Sequence, residues 1–413
     1  MNALQLILQT YLNKFSNTTK LINGAINNDC KQIIIIPSYY EPDLEKTLNS
    51  LSQCRATKHI TEVIIVLNCS IEDKDAQLFH QTQKKELEQR FSKNNKLIFH
   101  FILVDNLPFK YAGVGLARKI GMDEAIRRFN ELEYNGLLIC LDGDCEVNNT
   151  YLTSLENFAI APESYNTICL HFEHNLSEER DVTLKNGIIF YELFLRYYKE
   201  CLSYCGFLYP YHTIGSSMAV KASIYCKAGG MNKRKAGEDF YFLSKIFPYG
   251  KIIELNTAIV YPSARISTRV PFGTGRAQQN FIEKKDEVYI NYSFQSFKDL
   301  KLFLAIDFYK NSNVASAFPD SIKQFLIEVD FENKLQEIKN NTTTKEQFKK
   351  RFFDWFDGFM LLKYIHFSRD NHYPNNELLK EVGKLMVTDR TSLNLTSATE
   401  QLFQLRKNQI KNH

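Results

Sequence analysis

Five short apolar runs spread over residues 32–174 constrain this chain more than any other feature. They read QIIIIP (32–37), EVIIVLN (62–68), KLIFHFILVDN (96–106), NGLLICLD (135–142) and TICLHFEH (167–174). Each is continuous rather than alternating, the pattern of strands covered on both faces of a mostly parallel sheet. Helix signals lie between them. After Pro42, residues Leu44, Leu48 and Leu51 share one face, with Asp43 and Glu45 in the first turn, where the helix dipole favours anions. Residues 75–91 are charged and helical in character, and a further helical stretch, 114–130, follows a Gly-x-Gly. The alternation predicts an open α/β sheet flanked by helices. Ligands bind such sheets beyond the carboxyl ends of the strands. That rule singles out Pro37–Glu41, Asn68 and Asp142–Glu146.

From about residue 296 the strand signals fade, and stretches such as SIKQFLIEVDFENKLQEI and QFKKRFFDWFDGFMLLKYI read as helices. The expected organisation is an N-terminal helical extension (1–30), an α/β domain (31–295) and a C-terminal helical region (296–413). Leu4, Leu8, Tyr11 and Phe15 recur at helical spacing in the extension. That segment lacks the basic region of a signal peptide, and no apolar run nears the roughly 18 residues of a membrane span. The expected location is the cytoplasm, with peripheral contact at the inner face of a membrane left open. The net charge of +4 gives no reason to expect nucleic acid and does not repel an anionic diphosphate. The nine cysteines form no Cys-x-x-Cys pair and read as buried thiols of a reducing compartment.

Four segments carry candidate chemistry. In LLICLDGDCEV (137–147) a buried strand runs into Asp142-Gly143-Asp144. On an extended segment, residues two apart point the same way, so both carboxylates can converge on one cation. Their hard oxygens suit Mg²⁺ or Mn²⁺ shared with a substrate diphosphate. The competing reading is a plain turn, which Asp and Gly also favour. In IIIIPSYYEPD (33–43), Ser38, Tyr39 and Glu41 are expected at the sheet edge, where Tyr39 or Tyr40 can stack on a base. In AGVGLARKIG (112–121), Gly113 and Gly115 allow close backbone approach, and Arg118 and Lys119 in the first helical turns suit phosphate. In KAGEDFYFL (235–243), Glu238 and Asp239 open a helix, as dipole partners or as a general base.

In order, IIIIPSYYE, AGVGLARKIG, LDGDCEV, GSSMAVKASIYCKAGGM and GEDFYFL resemble the motifs of the family 2 glycosyltransferases, over roughly residues 30–275. The resemblance implies a GT-A fold, a Rossmann-like mostly parallel sheet, and inverting transfer from a nucleoside-diphosphate sugar. The implied acceptor is a carbohydrate or glycolipid hydroxyl, in polysaccharide or glycolipid assembly. It implies Asp142 at the nucleotide, Asp144 at the metal–diphosphate, and Asp239, or failing it Glu238, as the base. Pro37, Tyr39 and Glu41 then border the nucleotide pocket, and Gly215 and Ser216 lie near donor sugar or acceptor. His212, just before them, is a candidate for the acceptor pocket.

The chain also departs from the pattern. Family members often carry aspartate at the end of the second strand, where this sequence has Asn68, with Asp73 and Asp75 following. There is no QxxRW motif of processive synthases, which favours single-sugar transfer. YPSARISTRVPFGTGRAQQ (261–279) takes its place, with Arg265, Arg269 and Arg276 able to form an anion-binding loop. Two rival readings are a sugar-1-phosphate nucleotidyltransferase, whose glycine-rich first loop is missing here, and a catalytically silent binding module.

Overall fold

The computed structural model describes residues 2–16, 19–92, 97–161, 165–179, 181–267, 273–284, 288–310, 318–388 and 397–411. Its main sheet has eight strands: β1 (Cys30–Ser38), β2 (Ile60–Ser70), β3 (Leu97–Leu107), β4 (Leu137–Cys140), β5 (Glu146–Val147), β6 (Thr167–Phe172), β7 (Met218–Lys221) and β8 (Ile252–Tyr261). The spatial order is β3-β2-β1-β4-β7-β6-β8-β5. The apolar runs behave as their composition requires. Ile33–Ile36 and Val63–Leu67 have no exposed surface, and β1 runs parallel to both β2 and β4. β6 and β8 are also parallel, whereas β7 runs antiparallel between β4 and β6. β5, β7 and β8 carry no strong continuous apolar run, so the pattern that marks the other five strands does not mark these.

The helices, in chain order, are α1 (Ala3–Phe15), α2 (Leu44–Ser52), α3 (Lys74–Phe91), α4 (Val114–Glu131), α5 (Tyr151–Ile160), α6 (Val182–Tyr204), α7 (Ala222–Lys227) and α8 (Glu238–Ile246). They continue with α9 (Thr274–Glu283), α10 (Phe294–Leu304), α11 (Asp320–Glu328), α12 (Phe331–Asn340), α13 (Lys345–Trp355), α14 (Gly358–Asn371), α15 (Leu378–Thr388) and α16 (Ala398–Lys411). The chain forms two compact units, one of Met1–Glu179 with Thr213–Arg276, the other of Arg180–His212 with Ala277–His413. The first holds the whole main sheet together with α1. The second gathers α6 with the C-terminal helices, although α6 precedes β7 in sequence.

Within the first unit, α4 covers the sheet and ties down the N-terminal segment. Gly121 lies flat on it, since a Cβ there would come 2.6 Å from Ile35 Cγ2. The Glu124 carboxylate accepts the Leu21 and Ile22 N–H groups, both at 3.1 Å. Arg128 donates from Nε and, at 2.7 Å, from Nη2 to the Glu62 carboxylate, and from Nη1 to the Gly24 carbonyl at 3.0 Å. The N-terminal helix is therefore packed on α4 rather than trailing from it. Tyr11 donates to Asp123 at 2.6 Å, and Lys119 donates to both.

Within the second unit, Phe303, Phe308, Phe318, Phe331 and Phe352 pack ring against ring. Arg406 on α16 donates two hydrogen bonds to Glu192 on α6, at 2.7 and 2.6 Å. Among the described residues, no helix is long and apolar enough to cross a membrane. The nine cysteines are thiols, eight buried and Cys54 half-buried.

Because the Arg128–Glu62 pair is fully buried, removing one partner strands a charge. Arg128→Met is expected to cost about 3–5 kcal/mol, read as a fall in the unfolding midpoint, and Arg128→Met with Glu62→Leu should recover most of it. An unchanged midpoint in the single variant would show that the pair does not hold α4 to the sheet.

Candidate functional site

Since β1 and β4 are parallel neighbours, with Ile35 level with Cys140, their carboxyl ends open side by side. Beyond its last residue, β4 runs into a tight turn. The Cys145 N–H donates to the Asp142 carbonyl at 3.1 Å. This corrects the expectation of an extended Asp142–Asp144 segment: the residues are brought to one edge by a turn, as Asp and Gly favour. The turn is clamped against the β1 exit. A Cβ on Gly143 would meet Leu44 Cδ1 at 3.4 Å, Glu41 Cγ at 3.5 Å and the Pro37 carbonyl at 3.5 Å. Thr47 Oγ1 donates to the Gly143 carbonyl at 2.9 Å.

Each aspartate of the turn meets an arginine from elsewhere. Arg118, in the first turns of α4, is 1% exposed. It donates from Nη2 to Asp142 Oδ1 at 2.6 Å and from Nη1 to Glu238 Oε1. Tight packing at the α4 start makes this reach possible. A Cβ on Gly115 would lie 2.2 Å from the Arg234 carbonyl, and one on Gly113 would lie 2.9 Å from Lys235 Cα. Gly215 sits directly on the guanidinium, where a Cβ would come 2.7 Å from Arg118 Nη1. Arg265, in the irregular segment after β8, forms a fork with Glu41, donating from Nη1 at 2.6 Å and from Nη2 to the second oxygen. The same Nη2 reaches Asp144 Oδ2 at 3.2 Å.

Glu238 and Asp239 open α8 behind Gly237, whose φ of 69° is a left-handed conformation that glycine adopts without strain. Glu238 is buried, whereas Asp239 is half-buried. Asp239 Oδ2 accepts the Gly215 N–H at 2.9 Å, and Oδ1 accepts the Phe240 N–H at 2.8 Å. Burial pushes the Glu238 carboxyl up to about 7; Arg118 opposes the shift, while Asp239 and Asp142 add to it. Burial also raises Asp239, against Arg118 and the two backbone donors. Arg118 is desolvated as well, yet Asp142 and Glu238 hold it above its ordinary range.

The structure thus brings Glu41, Arg118, Asp142, Asp144, Gly215, Glu238 and Asp239 together, with Pro37 behind the turn. Ser216 is buried beside Gly215. Tyr39 is exposed on the β1 exit and donates to Asp73 Oδ2 at 2.6 Å, so Asp73 rather than Asp75 faces it. Asn68 is buried on β2, level with Val104 of β3. Lys119 is not part of this cluster. One residue along a helix turns the side chain by about 100°, and its ammonium is bound to Asp123 and Tyr11. His212 falls in the second unit, Arg276 closes the first, and Arg269 lies outside the described residues. Arg265 is the residue that sequence reasoning underweights, visible only as one of three arginines in a segment without periodicity.

Among the described residues, no group of three or more His, Cys, Asp or Glu side chains converges as a cation site. Asp142 and Asp144 still offer two hard carboxylates at the sheet edge, both partly exposed. One or two carboxylates are what Mg²⁺ takes from a protein when substrate phosphates and water complete its shell. The residues fit such an ion.

The family model described as Glycosyl transferase family 2 matches residues 33–221, from β1 to the end of β7. No curated protein matches the sequence. Among solved structures, S. aureus TarS is similar at 17% identity and a TM-score of 0.35, over 56% of this chain and 36% of that one. The chain thus spans little more than a third of that TarS structure. S. aureus TarS 1-349 in complex with UDP-GlcNAc aligns at 13% identity and a TM-score of 0.38, over 92% of each chain. Glucosyl-3-phosphoglycerate synthase from Mycobacterium tuberculosis, in complex with Mn²⁺, UDP and phosphoglyceric acid, aligns at 11% identity and a TM-score of 0.33, over 57% and 71%.

The raised Glu238 value has a consequence for stability. Between its ordinary 4.5 and about 7 the unfolded chain releases this proton while the folded chain keeps it, so stability falls as pH rises through that window. Glu238→Gln fixes the neutral form and removes that loss. Its unfolding midpoint relative to wild type should therefore be higher at about pH 8 than at about pH 5. An equal difference at both would show that Glu238 is ionised throughout.

Proposed function

We propose, because residues 33–221 match the family model described as Glycosyl transferase family 2, that the protein moves a single sugar from a nucleoside-diphosphate sugar to a carbohydrate or glycolipid hydroxyl, with inversion and with Mn²⁺ or Mg²⁺. The observation that carries this reading is the convergence of the Asp142–Asp144 turn, Arg118 and the fixed Asp239 carboxylate at one sheet edge.

Each part has a stated task. Tyr39, held by Asp73, and Asp142, held by Arg118, border the nucleotide. Asp144 and Asp142 would hold the metal, which when bound would offset the charge growing on the leaving diphosphate. Asp239 serves as the base. Its two backbone donors fix the carboxylate, and unlike Glu238 it is not committed to an ion pair with Arg118 at hydrogen-bond distance. As the acceptor oxygen attacks the anomeric carbon from the face opposite the diphosphate, its proton passes to Asp239. The bond from the anomeric carbon to the diphosphate oxygen breaks, and the nucleoside diphosphate leaves with the electron pair. Glu238 positions Arg118, and through it Asp142.

The test is release of nucleoside diphosphate from a panel of UDP-, GDP- and dTDP-sugars, with Mn²⁺, Mg²⁺ or EDTA. One donor is expected to turn over in a metal-dependent way and to fail with Asp144→Ala. Asp239→Asn is expected to lower transfer by about 10²–10⁴-fold while leaving donor binding in place. Binding of no donor, with or without metal, would overturn the reading, and donor binding without turnover in any metal condition would favour the catalytically silent binding module.

A further inference from the structure

We propose that Arg265 is the resident counter-ion of Asp144, and that a divalent cation binds there only by displacing it, so that metal and donor diphosphate load together. The inference rests on the metal role proposed above for Asp144. It starts from the contrast between two arginines. Arg118 is sealed in, 1% exposed, hydrogen-bonded on two limbs and backed by Gly215. It cannot leave Asp142 without opening the core. Arg265 is 25% exposed and stands on an irregular segment rather than a helix. Its contacts are graded: a fork on Glu41, one bond of 3.2 Å to Asp144 Oδ2, and a longer approach of 3.6 Å to Asp43.

Asp144 is thus the weaker end of this ion-pair set, and Glu41 the anchor. A guanidinium has several donors and stays charged, so it can release Asp144 and keep Glu41. A divalent cation needs the same Asp144 oxygens, and two positive groups at one carboxylate repel. Metal binding to the ligand-free chain must therefore work against Arg265. A nucleoside diphosphate changes the balance, because its phosphate oxygens complete the metal shell and offer acceptors to the released guanidinium. The two ligands then raise each other's affinity by the same factor. Arg265 acts here as a positioning residue, through Asp144.

The experiment is a titration of the full chain with Mn²⁺, following the electron paramagnetic resonance signal of free Mn²⁺, first without nucleotide and then with UDP. Arg265→Gln is expected to bind Mn²⁺ alone about two- to fivefold more tightly than wild type, the scale of a partly exposed ion pair. The gain in Mn²⁺ affinity conferred by UDP should shrink in the variant, and Asp144→Asn should abolish the site in both backgrounds. If Arg265→Gln does not fold because the buried Glu41 carboxylate loses its Arg265 fork, Glu41→Gln with Arg265→Gln removes that charge and makes the same comparison. Equal or weaker Mn²⁺ binding in these variants overturns the inference alone. Failure of wild type and variants to bind Mn²⁺ even with UDP, or with GDP or dTDP in its place, overturns the metal reading and this inference with it.

Discussion

The Arg118 guanidinium lies buried between Asp142 and Glu238, and a charge so placed is stable only while it stays paired and hydrogen-bonded. Much of the site depends on that constraint. Asp142 belongs to the turn after β4, Glu238 to the start of α8, and Arg118 to α4, so one group sets three elements in register. Gly215 lies against the guanidinium and passes the constraint on, since its N–H fixes the Asp239 carboxylate. A side chain at position 215 would push on Arg118 before it touched a substrate. The Asp142–Asp144 turn and the Asp239 carboxylate are thereby tied through a buried ion pair rather than through any ligand.

The same helix joins the site to the rest of its unit. On successive turns α4 presents Arg118 to the sheet edge, Lys119 and Asp123 to α1, and Glu124 and Arg128 to the segment leading into β1. Its opening glycines let it approach the 232–238 loop closely, and Gly121 lets it lie flat on Ile35. Changes in the N-terminal helix are thus expected to reach Arg118 through backbone position, without any direct contact.

Local pattern makes part of this legible. The strands β1, β2, β4 and β6 are readable because burial on both faces demands continuous apolar runs such as Ile33–Ile36, and β3 carries the same kind of run although it is largely half-buried at the sheet's end. The edge rule then places Glu41 and the Asp142–Asp144 turn correctly. β7 and β8 are not readable: β7 is four residues long, and β8 alternates polar and apolar positions less regularly than an exposed strand would. The grouping of α6 with the C-terminal helices depends on contacts such as Glu192–Arg406, more than 200 residues apart, which no local window holds. Arg118 and Lys119 show the limit at a single site. Both read as phosphate-facing cations at a helix start, yet helical rotation sends one to Asp142 and the other to Tyr11. Arg265 is the hardest, since nothing in its sequence neighbourhood distinguishes it from Arg269 and Arg276.

Crystals soaked with Mn²⁺ and a nucleoside diphosphate, measured at the manganese absorption edge, test the central claim most directly. One anomalous peak is expected at the carboxyl edge of β4, about 2.0–2.6 Å from a carboxylate oxygen of Asp144, with the diphosphate bound beside it and Arg118 still on Asp142. A peak away from the Asp142–Asp144 turn, or a diphosphate bound without any ion there, would contradict it.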